Sequence, residues 1–341
     1  MKTPDSSLQS TRRQFVGQVA QGTLLAGASL LAGRPAWAAE KNPFAYDVSR
    51  FAKTDPALIG WEEVGRQSCP GQGARRIACG PGDVLHVAAG NQILRLGAAG
   101  ATTTIEVGAT VNCVAVAADG TIFAGLRDHL EVFGAGGKRR AVWAASDARS
   151  WISGLALGPD SVFAADSGQR VIWRYDWNGK VVSRIGSKDA ARQTPGLIVP
   201  SPFLDVRLHA DGLLRVNNPG RHRFEAYTVD GDFAGSWGVP SAAIQGFCGC
   251  CNPIGLALLP DGRTVTCEKG LARVKVFRSD GELESVVAGP ESFAANVKAG
   301  AGGALGGRVG LDVVVDSRGR IHILDRVTGE ICVLQPKQGR A

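Results

Sequence analysis

Three of the chain's eight cysteines fall within four residues: Cys248, Cys250 and Cys251, in the stretch GFCGCCNPIG. A fourth, Cys267, ends the second apolar run that follows, and its loop is expected to open onto the same side. Cysteine thiolates are strong ligands for soft metals. Four of them would suit zinc, and two or three would suit copper as Cu(I). The C-x-C-C spacing matches no standard zinc pattern, so two other readings stay open. One is a disulfide, which an oxidising compartment favours. The other is a redox-active thiol, because adjacent cysteines fit ordinary disulfide geometry poorly and a strained bridge is a labile one. Glu268 and Lys269 follow Cys267 directly. The Lys269 ammonium would favour thiolate over thiol, and Pro253 would stiffen the exit from the cluster.

These residues need a scaffold, and the scaffold repeats. Six segments share one plan: an alternating apolar strand, a turn often built on Asp-Gly, a second strand, a polar loop, a third strand, another Gly turn and a fourth strand. The clearest, NPIGLALLPDGRTVTCEKGLARVKVFRSDGELESVVAG, turns at Asp261-Gly262 and Asp280-Gly281, both favoured hairpin dipeptides. Four short strands at a period of about 40 to 50 residues read as propeller blades. Helical signal is almost absent after the N-terminal segment. The sixth segment ends before a fourth strand, while ALIGWEEVG (57–65) precedes the first and has strand character. A raw sheet edge invites aggregation, so this N-terminal strand is expected to close the ring.

Aligned on the first turn, the innermost strands begin with Arg76, Cys113, Gly154, Asp205, Gly255 and Asp312. The next position is apolar in every blade: Ile77, Val114, Leu155, Val206, Leu256 and Val313. Period-two alternation sends the apolar column into the core and the other towards the central channel. In the fourth blade that inner face is wholly polar, with Asp205, Arg207 and His209. Buried charges are costly unless paired. Arg76, Asp205 and Asp312, with Arg207 beside them, therefore either bind a ligand at one mouth of the channel or form a self-satisfied ion network. The long links before blades four, five and six all fall on the face opposite the Asp-Gly turns, and such links usually mean binding or a lid. For the third, PESFAANVKAGAGGALGG, composition supports a spacer as well as a binding loop or lid.

The repeats resemble NHL-type six-bladed propellers, through ADSGQRV (165–171), NNPGRHR (217–223) and CEKGLARV (267–274). More narrowly, GCCNP followed by EKGLARVKVF and VVAGPESF is similar to a group of exported bacterial NHL-repeat proteins. The resemblance covers most of the chain and implies an all-β, NHL-like six-bladed propeller. It implies no single reaction: NHL-like propellers include protein- and RNA-binding modules, a lyase and relatives of lactonases, and a fold does not settle function. In that signature Asp166 with Arg170, Asn217 with Arg221 and Glu268 with Arg273 would tie each loop together.

The N-terminus sets the destination. STRRQFV (10–16), a short uncharged run and a small-residue site at Ala36 and Ala38 resemble a twin-arginine export signal. The expected organisation is a signal peptide over 1–38, an extension over 39–56 and a propeller over 57–341, exported to the periplasm. Removing 1–38 takes away Lys2, Arg12, Arg13 and Arg34 against Asp5, so the net charge falls from +7 to +4. That mild balance argues against a nucleic-acid partner, and no later run approaches bilayer length. No nucleophile elbow, Walker or dinucleotide motif is present, and the five histidines form no close pair. Two functions are left. One is a monomeric module that binds a small molecule or a periplasmic protein, with Arg76, Asp205, Arg207, Glu268, Lys269 and Asp312 as ligand-binding candidates. The other is an enzyme, either a thiol or metal redox protein or a lactonase-like hydrolase.

Overall fold

The computed structural model describes residues 49–70, 73–97, 101–144, 147–301 and 309–339. The chain separates into two units, Met1–Tyr46 and Asp47–Ala341, and all described residues belong to the second. The export segment and most of the AGAGGALGG run lie outside them.

Among the described residues, twenty-four strands form six four-stranded antiparallel sheets. The innermost strands are β2 (Ala74–Cys79), β6 (Cys113–Val116), β10 (Ile152–Leu157), β14 (Val206–Leu208), β18 (Gly255–Leu258) and β22 (Leu311–Val315). Each is followed outward in chain order, so the fold is a six-bladed β-propeller. The Asp-Gly turns read from sequence join first to second and third to fourth strands, with Gly212, Gly231, Gly262 and Gly281 all at positive φ, where glycine carries no Cβ penalty.

The sixth sheet runs β22, β23 (Ile321–Asp325), β24 (Glu330–Pro336) and then β1 (Trp61–Ser68). The N-terminal strand closes the ring as its sequence implied, paired from Trp61↔Pro336 to Ser68↔Glu330. Trp61 is buried beside the fifth blade and donates its indole N–H to Ser285 Oγ at 3.3 Å.

The core lies between the blades. Ile77, Val114, Leu155, Val206, Leu256 and Val313, the column expected inside, are all buried there. One expectation fails. The link before the sixth blade contains a turn of 3-10 helix, Pro290–Phe293, and an α-helix, α1 (Ala294–Ala301). Alanine is the best helix former, and Asn296 anchors the helix by donating to Gly310 O at 2.8 Å and Asp325 Oδ1 at 2.9 Å. Among the described residues no helix is long and apolar enough to cross a membrane.

Candidate functional site

The link that delivers the cysteines is built before they are reached. It folds back on itself through Phe247 N to Val239 O and Ser241 N to Phe247 O. Two buried cations from β20 (Val274–Phe277) and its lead-in hold it. Arg273 donates to Ala242 O at 2.9 Å, and Lys275 donates to Ile244 O at 2.9 Å and Gly246 O at 2.7 Å. Their counter-ion is Glu268, 2.8 Å from each and itself fully buried. Glu268 thus faces the underside of the link, committed to two cations. Of the three loop pairs in the NHL-like signature, Glu268–Arg273 forms. Asp166 instead caps Trp151 N, Gly168 N and Gln169 N, while Arg221 donates to Pro195 O.

Asn252 fixes the thiols against the next loop. Its amide donates to Cys248 O at 2.6 Å and Lys269 O at 2.8 Å and accepts from Lys269 N at 2.9 Å. The Asn252–Pro253 peptide is cis. All eight cysteines are free thiols. Cys250 is exposed, Cys251 is buried, and their sulfurs lie 3.1 Å apart. Burial alone would raise the Cys251 thiol. The Lys269 ammonium and the Ser201 hydroxyl beside the sulfur, together with the Cys250 contact, reverse that and lower it. Cys250 moves the other way, first because of its contact with Cys251. Cys248, half-buried, is raised by burial. Lys269 also lies 4.8 Å over the Phe203 ring.

Cys267 does not join them. It turns into the core between the fifth and sixth blades, where its thiol donates to Leu311 O at 3.3 Å and burial pushes it well up. The structure therefore pairs two of the four expected thiols, with Lys269 beside them. Among the described residues no three His, Cys, Asp or Glu side chains converge as a metal-ligand set.

The inner polar column meets at the link-bearing end of the channel. Arg76 Nη1 donates to Asp312 Oδ1 at 2.6 Å and Asp205 Oδ2 at 3.1 Å, and its Nε donates to Ser153 O at 3.0 Å. Asp312 accepts from Ile77 N, and Asp205 accepts from Leu256 N, Val206 N and Arg207. A Cβ at Gly154 would stand 2.6 Å from Asp205 Oδ1, and one at Gly255 would stand 2.9 Å from Arg76 Nη1. The glycines in this column make room for the ion network. Beyond it, towards the Asp-Gly turns, the channel is a cavity of about 290 Å³ lined mainly by aliphatic residues of the innermost strands, with Arg207 on its wall.

Sequence reasoning missed Ser201, beside the Cys251 sulfur, and Phe203, under Lys269; both lie in the link before the fourth blade and carry no spacing signal.

Fold and site together define a six-bladed β-propeller with a vicinal thiol pair on its link-bearing face. Its solved structural neighbours share the propeller fold. A streptogramin B lyase aligns with a TM-score of 0.57 and 14% identity, over 81% of this chain and 97% of the lyase. The virginiamycin B lyase of Staphylococcus aureus aligns with a TM-score of 0.56 and 13% identity, over 81% and 100%. A protein of unknown function from Bacteroides thetaiotaomicron aligns with a TM-score of 0.55 and 12% identity, over 81% and 76%. At such identities the likeness is one of fold. No protein-family model and no curated protein sequence matches the chain.

Proposed function

We propose that this propeller is exported to the periplasm, as STRRQFV (10–16) supports, and acts there as a thiol redox protein through Cys250 and Cys251. The observation that carries the reading is the 3.1 Å separation of an exposed and a buried sulfur, the buried one favoured as thiolate. The exposed Cys250 attacks a partner disulfide and forms a mixed disulfide, releasing one partner thiolate. The Cys251 thiolate then attacks the Cys250 sulfur and expels the second. Cys250 and Cys251 are oxidised to a disulfide and the partner disulfide is reduced; the Cys250 proton passes to the first released thiolate, and the second takes its proton from solvent. A bridge between adjacent cysteines is strained and therefore readily re-reduced.

A second reading is a binding module for a soft cation such as Cu(I). Its support is the Cys251 thiolate with Cys248 close by in the chain. The sulfur spacing suits it less well: two thiolates on one Cu(I) in linear or trigonal ligation stand well beyond the 3.1 Å seen here. A hydrolase reading lacks a free polar set in the channel, because Arg76, Asp205 and Asp312 bond to one another.

The test is equilibration in glutathione redox buffers followed by mass spectrometry. The native chain should pass to an intramolecular Cys250–Cys251 disulfide, and Cys251→Ser should stall as a glutathione adduct on Cys250. A wild-type chain that stays reduced throughout, yet binds Cu(I) one-to-one through Cys250 and Cys251, would establish the second reading instead.

A further inference from the structure

Between the ion network and the link-bearing face lies a second, small cavity of about 20 Å³. Among the described residues, Arg75, Arg76 and Arg326 line it, Trp151 forms part of its wall, and no carboxylate is in its lining. These residues come from the first, third and sixth blades, so the ring itself brings the guanidinium groups together. Arg76 is spent on two sides only: Nη1 on the two aspartates and Nε on Ser153 O. Its Nη2 is buried with no hydrogen-bond partner. An unmet donor on a buried charged group is expensive. Like charges crowd the place as well. Burial and then repulsion from Arg76, with Arg75 adding to it, pull Arg326 down to about 10, against the pull of Asp312.

We propose that this cavity is an anion subsite that takes a carboxylate or another small oxyanion, with Arg76 Nη2 as a donor and Arg75 and Arg326 supplying charge. Guanidinium groups match carboxylate and phosphate oxygens in geometry as well as sign. A single water needs roughly 10–15 Å³ of such space, so a cavity of about 20 Å³ has room for one oxygen of an oxyanion and leaves the rest of the molecule outside. What lies outside is the thiol-bearing face. Phe203 joins the two places, with Arg326 5.2 Å from its ring and Lys269 4.8 Å. A ligand anchored here would extend over the face that carries Cys250. The subsite rests on the arginines and the cavity and stands whether or not the dithiol is redox-active.

Isothermal titration of the full chain with acetate, succinate and inorganic phosphate, at constant ionic strength, tests it. At least one probe should bind saturably and one-to-one, and Arg75→Gln and Arg326→Gln should each weaken it at least tenfold. Tighter acetate or succinate marks the carboxylate of an organic ligand, and tighter phosphate marks a free oxyanion. Cys250→Ser should bind as the wild type does, which separates this site from the redox reading. No saturable binding of any probe, or unchanged affinity in both arginine variants, would overturn the proposal. Arg76 is left intact because the ion network depends on it.

Discussion

Arg76 Nη1 lies 2.6 Å from Asp312 Oδ1, and the two side chains come from the first and last blades of the ring. The pair, with Asp205 from the fourth blade, ties together sheets far apart in sequence. Removing one partner leaves the other charge buried and uncompensated, which costs about 3–5 kcal/mol. Asp312→Ala should lose about that much in urea denaturation, and it also strands the Ile77 amide that Asp312 accepts. A loss below about 1 kcal/mol, the range of an exposed pair, would show that the network does not hold the ring.

Much of this was legible before the fold was known. The Asp-Gly turns and alternating strands mark the blades because hairpin chemistry and side-chain period are local. Closure by Trp61–Ser68 was legible too, since the sixth repeat is one strand short. Arg76, Asp205 and Asp312 stood out as a column. That they meet required the ring, which sequence spacing does not encode. Gly154 and Gly255 lie in the same column, and only their places in the ring show that they admit the network. Cys267, Glu268 and Lys269 are consecutive, and adjacency suggested one site. At the strand end the three diverge, Cys267 into the core between the fifth and sixth blades, Glu268 to the buried cations and Lys269 to Cys251.

Closure by β1 should be essential. Deleting 57–68 removes the outermost strand of the sixth blade, exposes the edge of β24 and unseats Trp61 from Ser285. Open edges template aggregation, so the deletion should aggregate on size-exclusion chromatography. The milder Trp61→Ala should stay monomeric and lose about 3–5 kcal/mol, the cost of emptying a buried aromatic site. A deleted chain that runs as a monomer with an unchanged Tm would refute the closure role.

Lys275 gives the fold a pH signature. Burial first, then repulsion from Arg273, lowers it from 10.5 to about 8, against the pull of Glu268. Between these values the unfolded chain binds the proton and the folded chain has released it, so stability rises with pH. The cost of burying the charge is fully present below about pH 8 and is relieved by pH 10.5, up to about 3 kcal/mol in all. Buried cysteines titrate in the opposite sense there, Cys69 and Cys332 being pushed up to about 11. The comparison is therefore with Lys275→Met. Wild-type stability minus variant stability, from urea melts, should climb from pH 8 to pH 10. A flat difference would mean that Lys275 holds its proton throughout.

Lys269 should set the thiolate at the vicinal pair. Of the eight cysteines, Cys251 alone is lowered, and the other seven are raised. The first thiolate to form on raising the pH therefore belongs to Cys251, which makes it visible by absorbance near 240 nm without removing the others. Burial opposes that thiolate, and the Lys269 ammonium and Ser201 hydroxyl outweigh burial. Lys269→Met removes the ammonium and leaves burial in place. The first absorbance step should then move up by roughly one unit or more, the ordinary effect of losing an adjacent opposite charge. The Cys250–Cys251 pair should also close more slowly onto a glutathione adduct at neutral pH, because less of the resolving thiol is ionised. Cys251→Ser should abolish the first step altogether. If that step survives in Cys251→Ser, or does not move in Lys269→Met, the reactive thiolate lies elsewhere and the dithiol mechanism built on it fails.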